Sequence, residues 1–178
     1  CIFYYGLYIA KDFNKAIYYL KLAVEQNDSE FQWFLGRIYK KGRHIKRDIK
    51  KAIYYFELSS NQKNEKASYF LGNLYLKGKH VQRDIKKAIY YYQLSANQYF
   101  PLSLNALGKL YYNGEYVPKD INKSIYYFQL SANQNDYLGQ YYLGSIFYLG
   151  LSGKMDIKKG IYYLGLSADK GFSLANFK

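Results

Sequence analysis

The sequence predicts an all-α protein, an α/α right-handed superhelical solenoid of helix-turn-helix repeats with a 36-residue period. Three sets of markers carry that reading. Asp12, Asp48, Asp84, Asp120 and Asp156 recur at one interval, and Leu35-Gly36, Leu71-Gly72, Leu107-Gly108 and Leu143-Gly144 keep it. So do Gly6, Gly42, Gly78, Gly114 and Gly150, and no insertion interrupts any of the sets. A segment that returns in this way is an architectural unit, whereas a catalytic motif normally occurs once in a domain.

Each period divides into two helices. Helix A, for example EKASYFLGNLYLKG, puts Ala67, Leu71, Leu74 and Tyr75 on one side. Gly78 stops it in the role of a left-handed C-terminal cap. The inner glycine of each Leu-Gly pair costs about 1 kcal/mol in a helix relative to alanine. Its return predicts a neighbouring helix too close for a side chain. Helix B starts after its aspartate, whose carboxylate accepts backbone N–H bonds as an N-cap. Ile49, Ala52, Ile53, Phe56, Ser59 and Ser60 then recur at three- and four-residue steps, giving an apolar or small face. One such hairpin cannot cover its own apolar side. Stacking hairpins in line does, and leaves a long curved surface.

Composition narrows the function classes. The chain of 178 residues is 49% apolar and 21% aromatic, which excludes a disordered segment. No run of eighteen apolar residues occurs, so no membrane span is expected in this region. Cys1 is the single cysteine and cannot form an internal disulfide. The opening CIFYYGLYIA lacks a charged leader. Together these favour a cytoplasmic setting without identifying a compartment. The net charge of +13 points to an acidic partner or a polyanion, although AT-rich codons would enrich the same Lys, Ile, Tyr and Asn.

The copy formed by Ala67, Leu71-Gly72, Tyr75, Gly78, Asp84, Lys87-Ala88, Tyr91 and Ser95-Ala96 resembles the Sel-one-like repeat family, relatives of the tetratricopeptide repeats. The 36-residue spacing separates it from the 34-residue tetratricopeptide unit. The resemblance covers essentially the whole chain, 1–178, as a single array of about five repeats. It implies an adaptor or scaffold, in settings from protein degradation to cell-wall regulation and host–microbe contact that these residues do not distinguish. There are departures. Serine replaces a family alanine at Ser59, Ser60, Ser95, Ser131 and Ser167, which predicts looser packing. Gly160 and Ser124 occupy the slot of Ala16, Ala52 and Ala88, and the glycine after helix B survives only as Gly171. Asn27, Lys63, Tyr99 and Asn135 hold the equivalent positions. The cysteine-rich bacterial members carry a bridge in each repeat, and this chain has none. In register, Cys1 aligns with Arg37, Asn73, Lys109 and Ser145, and the final SLANFK stops short of a Leu-Gly pair. Both ends cut through a helix A, so the chain is expected to be an internal stretch of a longer protein.

Comparing repeats separates scaffold from candidate function. Opposite Leu71 and Leu74, helix A carries three variable slots: Trp33, Tyr69, Asn105 and Tyr141; Arg37, Asn73, Lys109 and Ser145; and Lys40, Leu76, Tyr112 and Tyr148. In related solenoids helix A lines the concave groove, so the resemblance places these residues there. Aromatics, arginine and amides suit a peptide-binding groove; a solvated face of a Tyr-rich protein explains them too. A second surface is the basic turn edge of Lys46, Arg47, Lys50, Lys51, Arg83, Lys86 and Lys87. The end of each helix A, the A–B turn and the first turn of helix B together hold most of the 26 basic residues and the whole net charge. Lysines there oppose the helix dipole by a few tenths of a kcal/mol, and a solvated edge is the plainer reading. A third surface is the ladder Tyr18, Tyr54, Tyr90, Tyr126 and Tyr162, expected half exposed, while Tyr19, Tyr55, Tyr91, Tyr127 and Tyr163 fill the buried aromatic slot.

Catalytic chemistry is not expected. His44 and His80 occupy the same slot of successive turns, and helices packed 8–10 Å apart do not bring them to one metal easily. No cofactor is implied, because no nucleophile–base pair, phosphate loop or dinucleotide fingerprint occurs. The sequence therefore predicts a non-enzymatic protein-interaction scaffold, binding a protein or peptide segment on the concave helix A face, with an acidic partner one option the charge allows. The alternative is a polyanion module, for RNA or acidic lipid, using the basic edge. Nucleic acid is disfavoured, because helical RNA readers have a period near 35 and their own base-reading positions. No small-molecule substrate is expected. A third reading is a regulatory segment attached to an enzyme elsewhere in the polypeptide.

Overall fold

The computed structural model describes residues 13–42 and 45–169. Among them are nine helices and no strand: α1 (Phe13–Glu25), α2 (Ser29–Lys41), α3 (Ile49–Asn61), α4 (Glu65–Lys77), α5 (Ile85–Ala96), α6 (Pro101–Asn113), α7 (Ile121–Ala132), α8 (Tyr137–Tyr148) and α9 (Ile157–Ala168). The even-numbered helices are helix A of their repeats and the odd-numbered ones helix B. The chain forms two compact units, Cys1–Tyr91 and Tyr92–Lys178.

The punctuation follows the sequence. Asp48, Asp84, Asp120 and Asp156 each accept a bond from the backbone N–H three residues on, all at 2.9 Å. Asp12 and Gly6 lie outside the described residues. Helix A opens on Asp28, Asn64 or Asp136, whose side chains also accept first-turn N–H bonds. α6 opens after Phe100 without a side-chain cap bond, and Pro101 brings a fixed φ suited to the first turn. Gly42, Gly78 and Gly114 end their helices at φ 62 to 69°, with their N–H bonded to Ile38, Leu74 and Leu110.

In unit 1, Leu35, Ala52, Phe56, Ala67 and Leu71 are wholly buried, with Leu20, Phe34, Ile38, Tyr39 and Leu74 around them. In unit 2, Leu104, Leu107, Phe128, Leu143 and Ile146 are wholly buried. The Leu-Gly glycines sit where helices touch. A Cβ on Gly36 would fall 2.7 Å from Phe56 Cδ1, and one on Gly108 2.6 Å from Phe128 Cε1. At Gly144 it would meet Leu164 Cγ at 2.8 Å and Leu164 N at 2.9 Å.

Two departures from the family pattern have physical explanations. The five serines at those alanine positions do not loosen the structure: they are buried and bonded to a neighbouring helix A or its cap, whereas the buried Ser124 hydroxyl has no partner among the described residues. Ser59 donates to the Ser29 carbonyl (2.6 Å), Ser60 pairs with Ser68 (2.7 Å), and Ser103 donates to Ser95 (2.6 Å). Ser131 donates to Asp136 (3.1 Å) and Ser167 to the Tyr137 carbonyl (2.8 Å). Each hydroxyl replaces a methyl contact with a directed bond, worth about 0.5–1.5 kcal/mol net. The B–A turns also keep a glycine-like geometry without glycine, since Asn27, Lys63, Tyr99 and Asn135 stand at φ 59 to 63°. Left-handed backbone costs a residue with a Cβ roughly 1–2 kcal/mol, and asparagine tolerates it best.

Candidate functional site

A lysine, a helix A ring and a helix B tyrosine form one assembly, built twice in each unit. Tyr39 stacks on Tyr55 (5.7 Å, 5°) and Tyr75 on Tyr91 (5.8 Å, 5°) in unit 1. Tyr111 stacks on Tyr127 (6.0 Å, 6°) and Phe147 on Tyr163 (6.3 Å, 21°) in unit 2. Over the helix A ring lies a lysine of helix B: Lys51 at 5.4 Å, Lys87 at 5.2 Å, Lys123 at 5.1 Å and Lys159 at 4.5 Å. Each contact contributes about 0.5–1 kcal/mol at an exposed site. This explains why a lysine precedes the small residue of helix B, and it ties Lys51 and Lys87 of the basic edge into the packing. Lys46, Lys50 and Lys86 stay exposed, and Arg47 meets the His80 imidazole.

The variable helix A slots of unit 1 make a cationic, aromatic face on α2 and α4. Arg37 lies over the Trp33 ring at 4.8 Å, and Lys66 lies over the same ring at 5.0 Å while bonding Glu30 at 3.1 Å. Lys40 lies over Phe70 at 4.4 Å, and Phe70 in turn stacks on Phe56 (5.6 Å, 7°). Partial burial lowers the Lys40 pKa, and the nearby charges Lys77, Arg37, Lys41 and Arg47 lower it further. Tyr69 and Leu76 are half-buried, and Asn73 donates back to the Tyr69 carbonyl at 3.0 Å.

In unit 2 the same slots form a cleft of about 210 Å³ lined by Tyr112, Tyr141, Tyr142, Ser145, Tyr148, Leu149 and Leu164. Tyr142 stacks on Phe128 (4.7 Å, 5°), and Tyr112 meets it edge-on (5.6 Å, 66°). Burial and the neighbouring tyrosines raise the pKa values of Tyr112 and Tyr142 above the ordinary phenol value. Lys109 lies over Tyr142 at 5.1 Å, and Ser145 donates back to the Tyr141 carbonyl at 2.9 Å. Asn105 differs from its slot mates. It is only 3% exposed, and its Nδ2 donates to Asp136 at 2.7 Å, so this side chain belongs to the interior.

The tyrosine ladder is more open than half. Tyr18, Tyr54, Tyr90, Tyr126 and Tyr162 are 56 to 61% exposed, each edge-on to the tyrosine that follows. Of the second set, Tyr55, Tyr91, Tyr127 and Tyr163 are half-buried, whereas Tyr19 is 55% exposed. Its stacking partner by the 36-residue register falls outside the described residues, as does His44. Sequence reasoning missed Phe70 and Tyr142, the rings beneath Lys40 and beside Tyr112. Their register position holds Phe34, Phe70, Ala106 and Tyr142, a variation in size that was the available signal. No group of three or more His, Cys, Asp or Glu side chains able to hold a metal exists among the described residues.

Repeated α-hairpins with shared capping aspartates and Leu-Gly contacts define a helical-repeat protein. The Sel1 repeat model matches residues 1–28, 29–64, 65–100, 101–136 and 138–172, and the chain belongs to the Sel1 repeat family. Its fold is the all-α repeat solenoid class of that family. Similar solved structures include a protective antigen of uropathogenic Escherichia coli with an SLR fold, 28% identical, TM-score 0.91, covering 97% of this chain and 37% of that one. A Sel1 repeat protein from Oxalobacter formigenes is 28% identical, TM-score 0.89, covering 98% of this chain and 71% of that one. Cysteine-rich protein B of Helicobacter pylori is 25% identical, TM-score 0.53, over 72% and 92% of the two chains. The chain thus spans little more than a third of the E. coli antigen. Comparison with curated protein sequences gave no match. Sel1 repeat proteins generally mediate protein–protein interactions and are typically non-catalytic scaffolds. No helix among the described residues is long and apolar enough to cross a membrane.

Proposed function

We propose that this chain is a non-enzymatic interaction module that binds a protein or peptide segment on the variable helix A slots. The observation that carries this reading is the unit 2 cleft. Four residues chosen by register alone, Tyr112, Tyr141, Ser145 and Tyr148, line one concavity of about 210 Å³. Ring walls with phenol hydroxyls offer an anchor pocket for one side chain together with hydrogen bonds to a peptide main chain. The alternative, a polyanion on the turn edge, has less support, because Lys51, Lys87, Lys123 and Lys159 are engaged with rings of their own hairpins.

Selection of a random peptide library on the immobilised chain tests the proposal. Recovered peptides are expected to lose affinity on Tyr141→Ala plus Tyr148→Ala, and to keep it on Lys50→Ala plus Lys86→Ala. Binding should change little between about 50 and 200 mM salt, over which a nucleic-acid contact falls by orders of magnitude. Dependence on the two edge lysines, with indifference to the two tyrosines, would overturn it.

A further inference from the structure

Unit 1 and unit 2 offer different chemistry, and the unit 1 face gathers positive charge. Arg37, Lys40 and Lys66 sit over two rings of one face, with Lys77 and Arg47 close enough to act on Lys40. The neighbouring carboxylates are already engaged. Glu30 is held by Lys66 and by Asn64 (2.9 Å), and Asp48 Oδ1 accepts the Lys51 N–H. The buried Trp33 Nε1 has no hydrogen-bond acceptor among the described residues. Like charges gathered in this way repel one another, and an anionic ligand relieves that repulsion when it binds.

Resting on the peptide-binding reading, we propose that the α2–α4 face of unit 1 takes an acidic segment of a protein partner, its Asp or Glu carboxylates bound by Arg37, Lys40 and Lys77. A guanidinium stacked on an indole suits bidentate capture of a carboxylate through its N–H edge. The rings themselves argue against single-stranded nucleic acid. Base recognition of that kind needs open aromatic faces for stacking, and here Trp33 is covered by Arg37 and Lys66, and Phe70 by Lys40 and Phe56. What this face presents outward is positive charge on an apolar floor, the complement of carboxylates interspersed with apolar residues.

The chain contains one tryptophan, so Trp33 fluorescence reports on this face alone. The test titrates the full chain with a synthetic peptide alternating Glu with Leu, with the same peptide carrying Gln for Glu, and with an oligouridylate of equal charge. The expected result is a saturable change in Trp33 emission with the Glu peptide and binding weaker by about tenfold or more for the Gln peptide. Arg37→Gln plus Lys40→Met, with an unchanged helical circular dichroism spectrum, should reduce Glu-peptide affinity by a similar factor. Should the double variant unfold, Lys77→Gln alone is expected to weaken binding several-fold. Equal binding of the Glu and Gln peptides would overturn the acidic preference and leave peptide binding standing. Preferential binding of oligouridylate would overturn it as well. No saturable response to the Glu peptide in the folded chain would also overturn it, whereas loss of library-selected peptides on edge substitution would sink the broader reading instead.

Discussion

Lys40 and Tyr112 hold the same register position two periods apart, and each covers a ring stacked on a helix B phenylalanine. In unit 1 the arrangement is Lys40 on Phe70 on Phe56; in unit 2 it is Tyr112 against Tyr142 on Phe128. In these two copies the lower two layers differ by one hydroxyl. The top layer is free to change sign and polarity, and that single layer turns a cationic face into a tyrosine cleft. In this chain the repeat supplies the geometry and the variable slot supplies the chemistry.

If that division holds, damage to the lower layers should be large and alike in the two units. Phe56→Ala and Phe128→Ala each remove a wholly buried ring and are expected to cost about 3–5 kcal/mol in urea denaturation. Unequal costs would break the equivalence. Next in size is Gly144→Ala, whose Cβ would meet backbone as well as side chain; overpacking there should cost about 1–3 kcal/mol. Gly165 has nothing within 4 Å of such a Cβ, so Gly165→Ala is expected to stabilise by about 1 kcal/mol.

The tyrosine stacks predict a pH limit. Burial first, and Glu57 next, raise Tyr91 well above the ordinary phenol value, and Tyr55 and Tyr127 are raised too, by burial first. The unfolded chain then loses its phenol protons first, so stability is full below about pH 10 and falls as pH rises beyond it. Melting temperature measured from neutral to strongly alkaline pH should decline over that window, and Tyr91→Phe should make the decline shallower. Smallest of all is Lys63→Gly, which relieves a left-handed lysine and should stabilise by a few tenths of a kcal/mol after the added chain entropy of glycine.

The scaffold was readable because its signals are local. An aspartate before helix B, a glycine after helix A and a Leu-Gly pair each report on one turn of backbone, and a 36-residue echo multiplies them. The surface chemistry was less readable because it depends on which side chains meet across hairpins. Lys51 and Lys87 read as edge charge, since sequence does not show that Tyr39 and Tyr75 lie beneath them. Asn105 read as a groove residue because Trp33, Tyr69 and Tyr141 share its slot; its small amide is buried and donates to Asp136. Serines read as loosened packing because their acceptors, Ser29, Ser68 and Tyr137 among them, lie across the hairpin and not in the same turn.

The claim that matters most is that the variable helix A slots, and not the helix B edge, meet the partner. Lysines stand on both surfaces, which allows one direct measurement: acetylation rates for each lysine in the full chain, with and without a library-selected peptide. Slowed acetylation of Lys40 or Lys109 is expected, with Lys46, Lys50 and Lys86 unchanged. Protection of the edge lysines with Lys40 and Lys109 still fully reactive would contradict it.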